Sequence, residues 1–181
     1  PKSESNREFR FVLLKAVTNN TEILFTDFGW RTDVQAFQTF NPCGTNTGSL
    51  TDGAIRWRAN GDLPYGTEVV IRCLTNPKAN VGTAGPLQPT FNNASQYITL
   101  NSNGESIFAF TGSLQTPTLL GGICGAPNGW LSTLGNCTYD PNVSSLPNAL
   151  NNALNGNRNY AFAVLPANNG QLGFCMRLRP G

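Results

Sequence analysis

The chain has 181 residues and a formal net charge of +2, from 12 Lys and Arg against 10 Asp and Glu, with no His. Charged residues make up 12% of it, about half the usual share, and three of them are Lys with no basic run, which argues against the clustered footprint of a nucleic-acid binder. The length suits one domain with a real core, and no apolar stretch approaches the roughly 18 residues that would point to a membrane span.

Residues 1–8 (PKSESNRE) are polar and read as a flexible N-terminal arm, with one domain over 9–181. Phe9 to Val17 is a nearly unbroken apolar run with apolar side chains in both parities, so it is expected as a central strand covered on both faces. Thr18-Asn19-Asn20-Thr21 is turn chemistry, and Glu22 to Phe28 is the next strand. Residues 31–53 read as loop with a helical turn around Val34–Phe37. Ala54 to Ala59 alternates, with Ile55 and Trp57 on one side and Arg56 and Arg58 on the other, and Thr67 to Leu74 forms the following strand.

Residues 75–95 hold many Pro, Gly and Asn and read as a long loop. Gln96–Leu100 and Glu105–Thr111 flank Asn103-Gly104 as a hairpin. Residues 112–145 read as irregular. One short helix is expected near 146–154: Ser offers a cap, Pro147 suits the first turn, and Leu146, Leu150, Ala153 and Leu154 share a face. Tyr160–Leu165 and Leu172–Arg179 close the chain as strands joined through Asn168-Asn169-Gly170, with Leu172, Phe174, Met176 and Leu178 inward and Arg177 and Arg179 outward. About eight to ten short strands, one helix and no βαβ alternation make an all-β, immunoglobulin-like sandwich the expected fold.

A neutral surface rich in Asn (23 residues), Thr, Ser and Gly leans extracellular, and the start at Pro1 fits a mature secreted chain. The five cysteines fit no zinc spacing. Cys124 and Cys137 bracket a Gly/Pro/Asn loop and are the first candidate disulfide. Of the other three, two can pair. Cys73 lies in phase with Val69 and Ile71 as a candidate buried thiol, which leaves Cys43 and Cys175 as the second candidate pair. The odd cysteine is then a buried thiol or a bond between subunits. Sequons stand at Asn19, Asn93, Asn136 and Asn142, a number that the Asn, Ser and Thr content produces by chance; Asn19, in a turn, is the best placed acceptor.

The blocks Ile23-Leu24-Phe25-Thr26-Asp27-Phe28-Gly29-Trp30, Ala54-Ile55-Arg56-Trp57, Leu63 to Ile71, Asn103 to Gly112 and Ser145-Leu146-Pro147 together resemble a lamin-tail-like β-sandwich module of secreted and surface proteins. The Phe-Thr-Asp-x-Gly-Trp block carries most of the likeness. Gly104-Glu105 departs from the Gly-Asp of that pattern, and the cysteines and residues 113–143 look like additions. The resemblance implies a structural or binding module and brings no catalytic residues.

Without His there is no Ser-His-Asp triad, Cys-His pair or histidine metal ligand. The acids Asp27, Asp33, Asp52, Asp62, Glu68, Glu105 and Asp140 are too few and scattered to nominate a metal site, and Asp27 reads as a bond to backbone amides at a strand end. No catalytic residue, cofactor or metal is expected. Trp30 and Trp57 fall in apolar strand phase and read as core, which leaves Trp130, with Tyr139, as the possible ligand contact. Two functions follow. One is an extracellular subunit that assembles with itself into a filament or surface layer through the arm and Phe9, Phe11 and Leu13. The alternative is a secreted carbohydrate-binding or adhesive module whose partner is a glycan.

Overall fold

The computed structural model describes residues 8–38, 52–73, 76–87, 98, 106–124, 130 and 144–150, together with the backbone of 151–153, 162–164 and 174–179. These form β1 (Glu8–Leu13), β2 (Glu22–Thr26), β3 (Trp30–Arg31), β4 (Ala36–Phe37), β5 (Ala54–Arg58), β6 (Glu68–Arg72), β7 (Lys78–Ala79), β8 (Thr83–Pro86), β9 (Ser106–Gly112), β10 (Pro117–Cys124), α1 (Asn148–Ala153), β11 (Phe162–Val164) and β12 (Phe174–Arg179). Sheet one has the order β12-β1-β6-β7 and sheet two the order β11-β10-β9-β2-β5-β8, with every pairing antiparallel; β3 and β4 pair separately. The chain is an all-β sandwich with one short helix, as the strand patterns require.

The two sheets meet over one core. From sheet one come Phe9, Phe11, Leu13, Val69 and Ile71, and from sheet two Ile23, Phe25, Ile55, Trp57, Ile107 and Ala109, all buried. Phe25 sits between Phe9 and Phe11, with ring centroids 4.9 and 5.1 Å away, and Phe11 meets the Trp57 edge at 5.3 Å. Fully burying side chains of this size stabilises by roughly 1.5–3 kcal/mol each.

A second core lies on the other face of sheet two. Leu24, Phe108 and Phe110 alternate in sequence with the first-core residues, so they point away from sheet one. They are covered by Trp30 and Phe37 of the β3–β4 hairpin, by Trp130, and by Leu146 and Leu150 beside α1. Phe37 stacks on Phe108 and Phe110 at 5.5 and 5.3 Å, and Trp130 on Phe108 at 5.4 Å. The molecule is thus layered as sheet one, sheet two, and a cap of hairpin and helix.

Several expectations are corrected. The first strand ends at Leu13, where Thr67 and Gly66 take its last backbone bonds, and Val17 keeps only a bridge to Leu63. β1 is central in sheet one but covered on one face: Phe9, Phe11 and Leu13 are buried while Glu8, Arg10 and Val12 are half-buried. Coverage on both faces belongs to β2 and β9, which lie between the two cores. Residues 34–37 are the end of the turn and the second strand of the β3–β4 hairpin in place of a helical turn, with Gln35 at φ 51° closing it. Residues 75–95 contain β7 and β8, and 112–145 contain the eight-residue β10. β11 and β12 do not form a hairpin; they lie in opposite sheets.

The β7–β8 turn is tight against the core. Trp57 Nε1 donates to Val81 O at 2.8 Å, and a Cβ on Gly82 (φ +74°) would lie 2.5 Å from Arg58 O and 2.7 Å from Trp57 Nε1. Gly66 shares a positive φ (+83°) but opens on space. Gly82→Ala is therefore expected to destabilise by about 3 kcal/mol and Gly66→Ala by about 1 kcal/mol. Urea unfolding of the two variants checks the difference, and equal costs would overturn the packing account of the turn.

Candidate functional site

The Thr26 to Trp30 segment ties the two cores together. Thr26 Oγ1 donates to Gly53 O (2.7 Å) and accepts from Phe28 N (3.1 Å). Asp27 Oδ1 accepts from Gly53 N at 2.6 Å, so the carboxylate bonds a backbone amide at the strand end, as its position implies. Trp30 N donates to Ser144 Oγ (2.9 Å), and Ser145 Oγ donates to Trp30 O (2.6 Å). Thr32 Oγ1 completes the link with a bond to Ser145 Oγ at 2.6 Å. Thr26, Asp27, Ser144 and Ser145 are all buried. The Phe-Thr-Asp-x-Gly-Trp block is thus a splice between sheet two, the β4–β5 connection and the segment leading into α1.

Of the other described acids, Asp52 is buried, Asp62 serves a turn, and Glu8, Glu22, Asp33 and Glu68 form ion pairs. Asp62 Oδ1 accepts from Asn19 N at 2.8 Å. Arg31 Nε donates to Asp33 Oδ1 at 3.0 Å, and this guanidinium, first through its hydrogen bond and then through its charge, holds the Asp33 carboxyl below its ordinary value. Glu22 lies between Arg56 and Arg58 on sheet two. Among the described residues no group of three or more His, Cys, Asp or Glu comes together, and no helix is long and apolar enough to cross a membrane.

On the outer face of sheet one, Arg10 lies between two carboxylates, Glu8 at 2.8 Å and Glu68 at 3.0 Å. Both raise the guanidinium's affinity for its proton, Glu8 the more. The register sets Arg179 opposite Glu8, Glu8 opposite Arg72, and Arg72 opposite Lys78, a row across all four strands. Sequence reading placed Arg177 and Arg179 on an outward face but missed this row, whose members are drawn from four separate parts of the chain.

The assembly residues Phe9, Phe11 and Leu13 are buried in their own domain, and β1 is hydrogen-bonded on both sides, to β6 and β12. Trp130 is a correction: at 4% exposure it packs on Phe108 and offers no surface to a ligand, because the second core needs a ring there. Cys124 is a free, buried thiol of the second core. Cys73 is a buried thiol of the first core, in the phase expected of it. Asn19 is exposed in its turn, with Asn20 at φ 65°. Cys43, Cys137, Tyr139, Asn93, Asn136, Asn142 and residues 1–7 of the arm lie outside the described residues, as does the side chain of Cys175.

Removing the Asp27 carboxylate leaves the buried Gly53 N–H without its acceptor, so Asp27→Ala is expected to cost about 2–3 kcal/mol in urea unfolding. Asp33→Ala, which removes an exposed partner, should stay within about 0.5 kcal/mol. Cys124 should resist alkylation in the native protein and react once the chain is unfolded without reductant; a Cys124–Cys137 disulfide peptide would overturn its assignment as a thiol.

No family model, curated protein or solved structure matches the chain.

Proposed function

We propose that the protein is an extracellular structural subunit that assembles with copies of itself by exchanging β1. The observation that carries this reading is the position of the strand. β1 is the first of the described strands yet occupies the middle of sheet one, between β6 and β12. Its three inward residues are fully buried at the centre of the first core. An N-terminal strand seated in such a slot can leave it and fill the same slot in a neighbour, where every bond and contact is reproduced. That equivalence is what makes strand exchange a low-cost route to assembly.

The hinge has a definite place. β1 ends at Leu13, and the chain is next held by the Val17–Leu63 bridge. Between them Lys15 and Ala16 are exposed. Extension at residues 14–16 would project β1 away from its own sandwich while the 18–21 turn stays anchored through Asn19 and Asp62. Donation in one direction along a row of copies is head-to-tail and builds a filament in place of a closed dimer. The weakly charged, Asn-rich composition and the resemblance to modules of secreted and surface proteins support an extracellular setting, in which Asn19 is an accessible acceptor for a glycan.

The test locks the strand at home. Val12 and Glu68 are directly opposite in the β1–β6 register, so Val12→Cys with Glu68→Cys can be joined by a disulfide, confirmed by peptide mapping. The oxidised variant is expected to sediment as a 19.5 kDa monomer, and the reduced variant and the parent as polymers seen as fibres by electron microscopy. Fibres from the oxidised variant would eliminate β1 exchange. A parent that stays monomeric at high concentration would eliminate self-assembly itself.

A further inference from the structure

We infer that the Lys15–Ala16 bond is a processing site for an endoprotease that cleaves after basic residues, and that the cut leaves β1 bound in its sheet as a separate strand. Exposure and free backbone decide where a folded chain is nicked. Of the Lys and Arg residues with described side chains, six lie in strands: Arg10 in β1, Arg31 in β3, Arg56 and Arg58 in β5, Arg72 in β6 and Lys78 in β7. Lys15 is the seventh and lies outside any strand.

The segment that carries it is free between two clamps. On one side Leu13 N donates to Thr67 O at 3.0 Å, and Leu13 O accepts from Gly66 N at 2.8 Å. On the other, Val17 and Leu63 exchange both backbone bonds, each at 2.9 Å. Among the described residues, Leu14, Lys15 and Ala16 make no backbone hydrogen bond. Lys15 and Ala16 are exposed and Leu14 is half-buried. A protease that grips more than these three residues first releases the Val17–Leu63 bridge, an isolated pair outside the sheets.

The chain supplies its own comparison. Lys78-Ala79 repeats the residues on both sides of the bond, and Lys78 is exposed as well. There the backbone is engaged: Lys78 and Ala79 pair with Arg72 and Ile71, and Asn80 N donates to Val70 O at 3.2 Å. Pro77, just before them, is buried. The two sites are equal in local sequence and differ in what must open before either is cut.

Hydrolysis adds one water across the Lys15–Ala16 amide. The carbonyl carbon of Lys15 becomes a carboxylate and the nitrogen of Ala16 leaves as an amino group. Both new charges form at exposed residues, so neither has to be buried. The strand keeps six register pairs with β12 and five with β6, and Phe9, Phe11 and Leu13 stay in the first core. The product is a two-chain domain with the fold of the intact one. Where β1 is exchanged between copies, the same bond joins one body to the strand lodged in the next, and the cut parts them into single domains. The inference itself does not rest on exchange.

Timed digestion of the native full chain with a lysine-specific endoprotease, read by mass spectrometry, tests it. Lys15–Ala16 should be cut about tenfold or more faster than Lys78–Ala79, and the two should be cut at similar rates in concentrated urea. In native buffer the two pieces should elute together as one particle near 19.5 kDa, and in urea apart. Lys15→Gln should resist both this enzyme and trypsin at the site, and Lys15→Arg only the first. A native chain cut at Lys78 as fast as at Lys15, one left whole at Lys15 while the denatured chain is cut there, or release of the severed strand in native buffer would each overturn the inference. The disulfide-locked monomer should be cut at the same bond, so failure here is read apart from failure of strand exchange.

Discussion

Sheet two has to be kept from water on both faces, and the rest of the architecture follows from that constraint. β2 and β9 carry large apolar side chains in both parities: Ile23 and Phe25 against Leu24, Ile107 against Phe108 and Phe110. A strand of that kind cannot sit in a two-layer sandwich without exposing three or four large side chains, each worth roughly 1.5–3 kcal/mol when buried. Sheet one covers one face. The other requires a third layer, and the chain makes it from a short hairpin, a short helix and Trp130. Neither hairpin nor helix is long enough to be stable alone. The bonds from Trp30 to Ser144 and Ser145 hold them to each other across more than a hundred residues of sequence.

That dependence also explains what could be read from sequence. Alternation in Ala54–Arg58 and Glu68–Arg72 placed Ile55, Trp57, Val69 and Ile71 inward correctly, because those strands have one wet face. The helix was legible from Pro147 and the apolar spacing of Leu146 and Leu150, although it begins at Asn148 and the Ser144 and Ser145 hydroxyls expected to cap it bond to Trp30 instead. β7 and β8 were not: a two-residue strand and one ending in Pro are edge strands whose existence depends on the neighbours they pair with. β10 was hidden by its glycines. Gly122 is small because the rings of Phe108 and Trp130 occupy the space where its side chain would be, at 3.0 and 3.2 Å, so a residue that reads as loop is a packing requirement of the second core. The same logic misplaced Trp130. Its Gly- and Pro-rich neighbourhood suggested a surface ring, while the extra layer that buries it leaves no local mark.

The charged row of sheet one was illegible for a related reason. Glu8, Arg72, Lys78 and Arg179 are ordinary isolated charges in sequence, and only the β12-β1-β6-β7 order makes them neighbours. Composition reported a nearly neutral protein with little basic clustering. Folding sorts that charge into local groups: Glu22 is shared by Arg56 and Arg58 on sheet two, and Arg10 is held between Glu8 and Glu68 on sheet one.

The pairing of β1 with β12 has a mechanical consequence. Glu8 and Arg179 face each other, so any chain attached before β1 and after β12 departs from the same end of the sheet. A tensile load applied through those two points pulls across the strands, along their hydrogen bonds, and opens the ladder one rung at a time. The sandwich is therefore a weak link if force enters by both ends of this strand pair. Force entering through β1 and leaving by another part of the sandwich would instead slide the strand lengthwise against β6 and β12, so that many bonds must fail together. The same small domain would yield early or hold according to where its neighbours take hold of it.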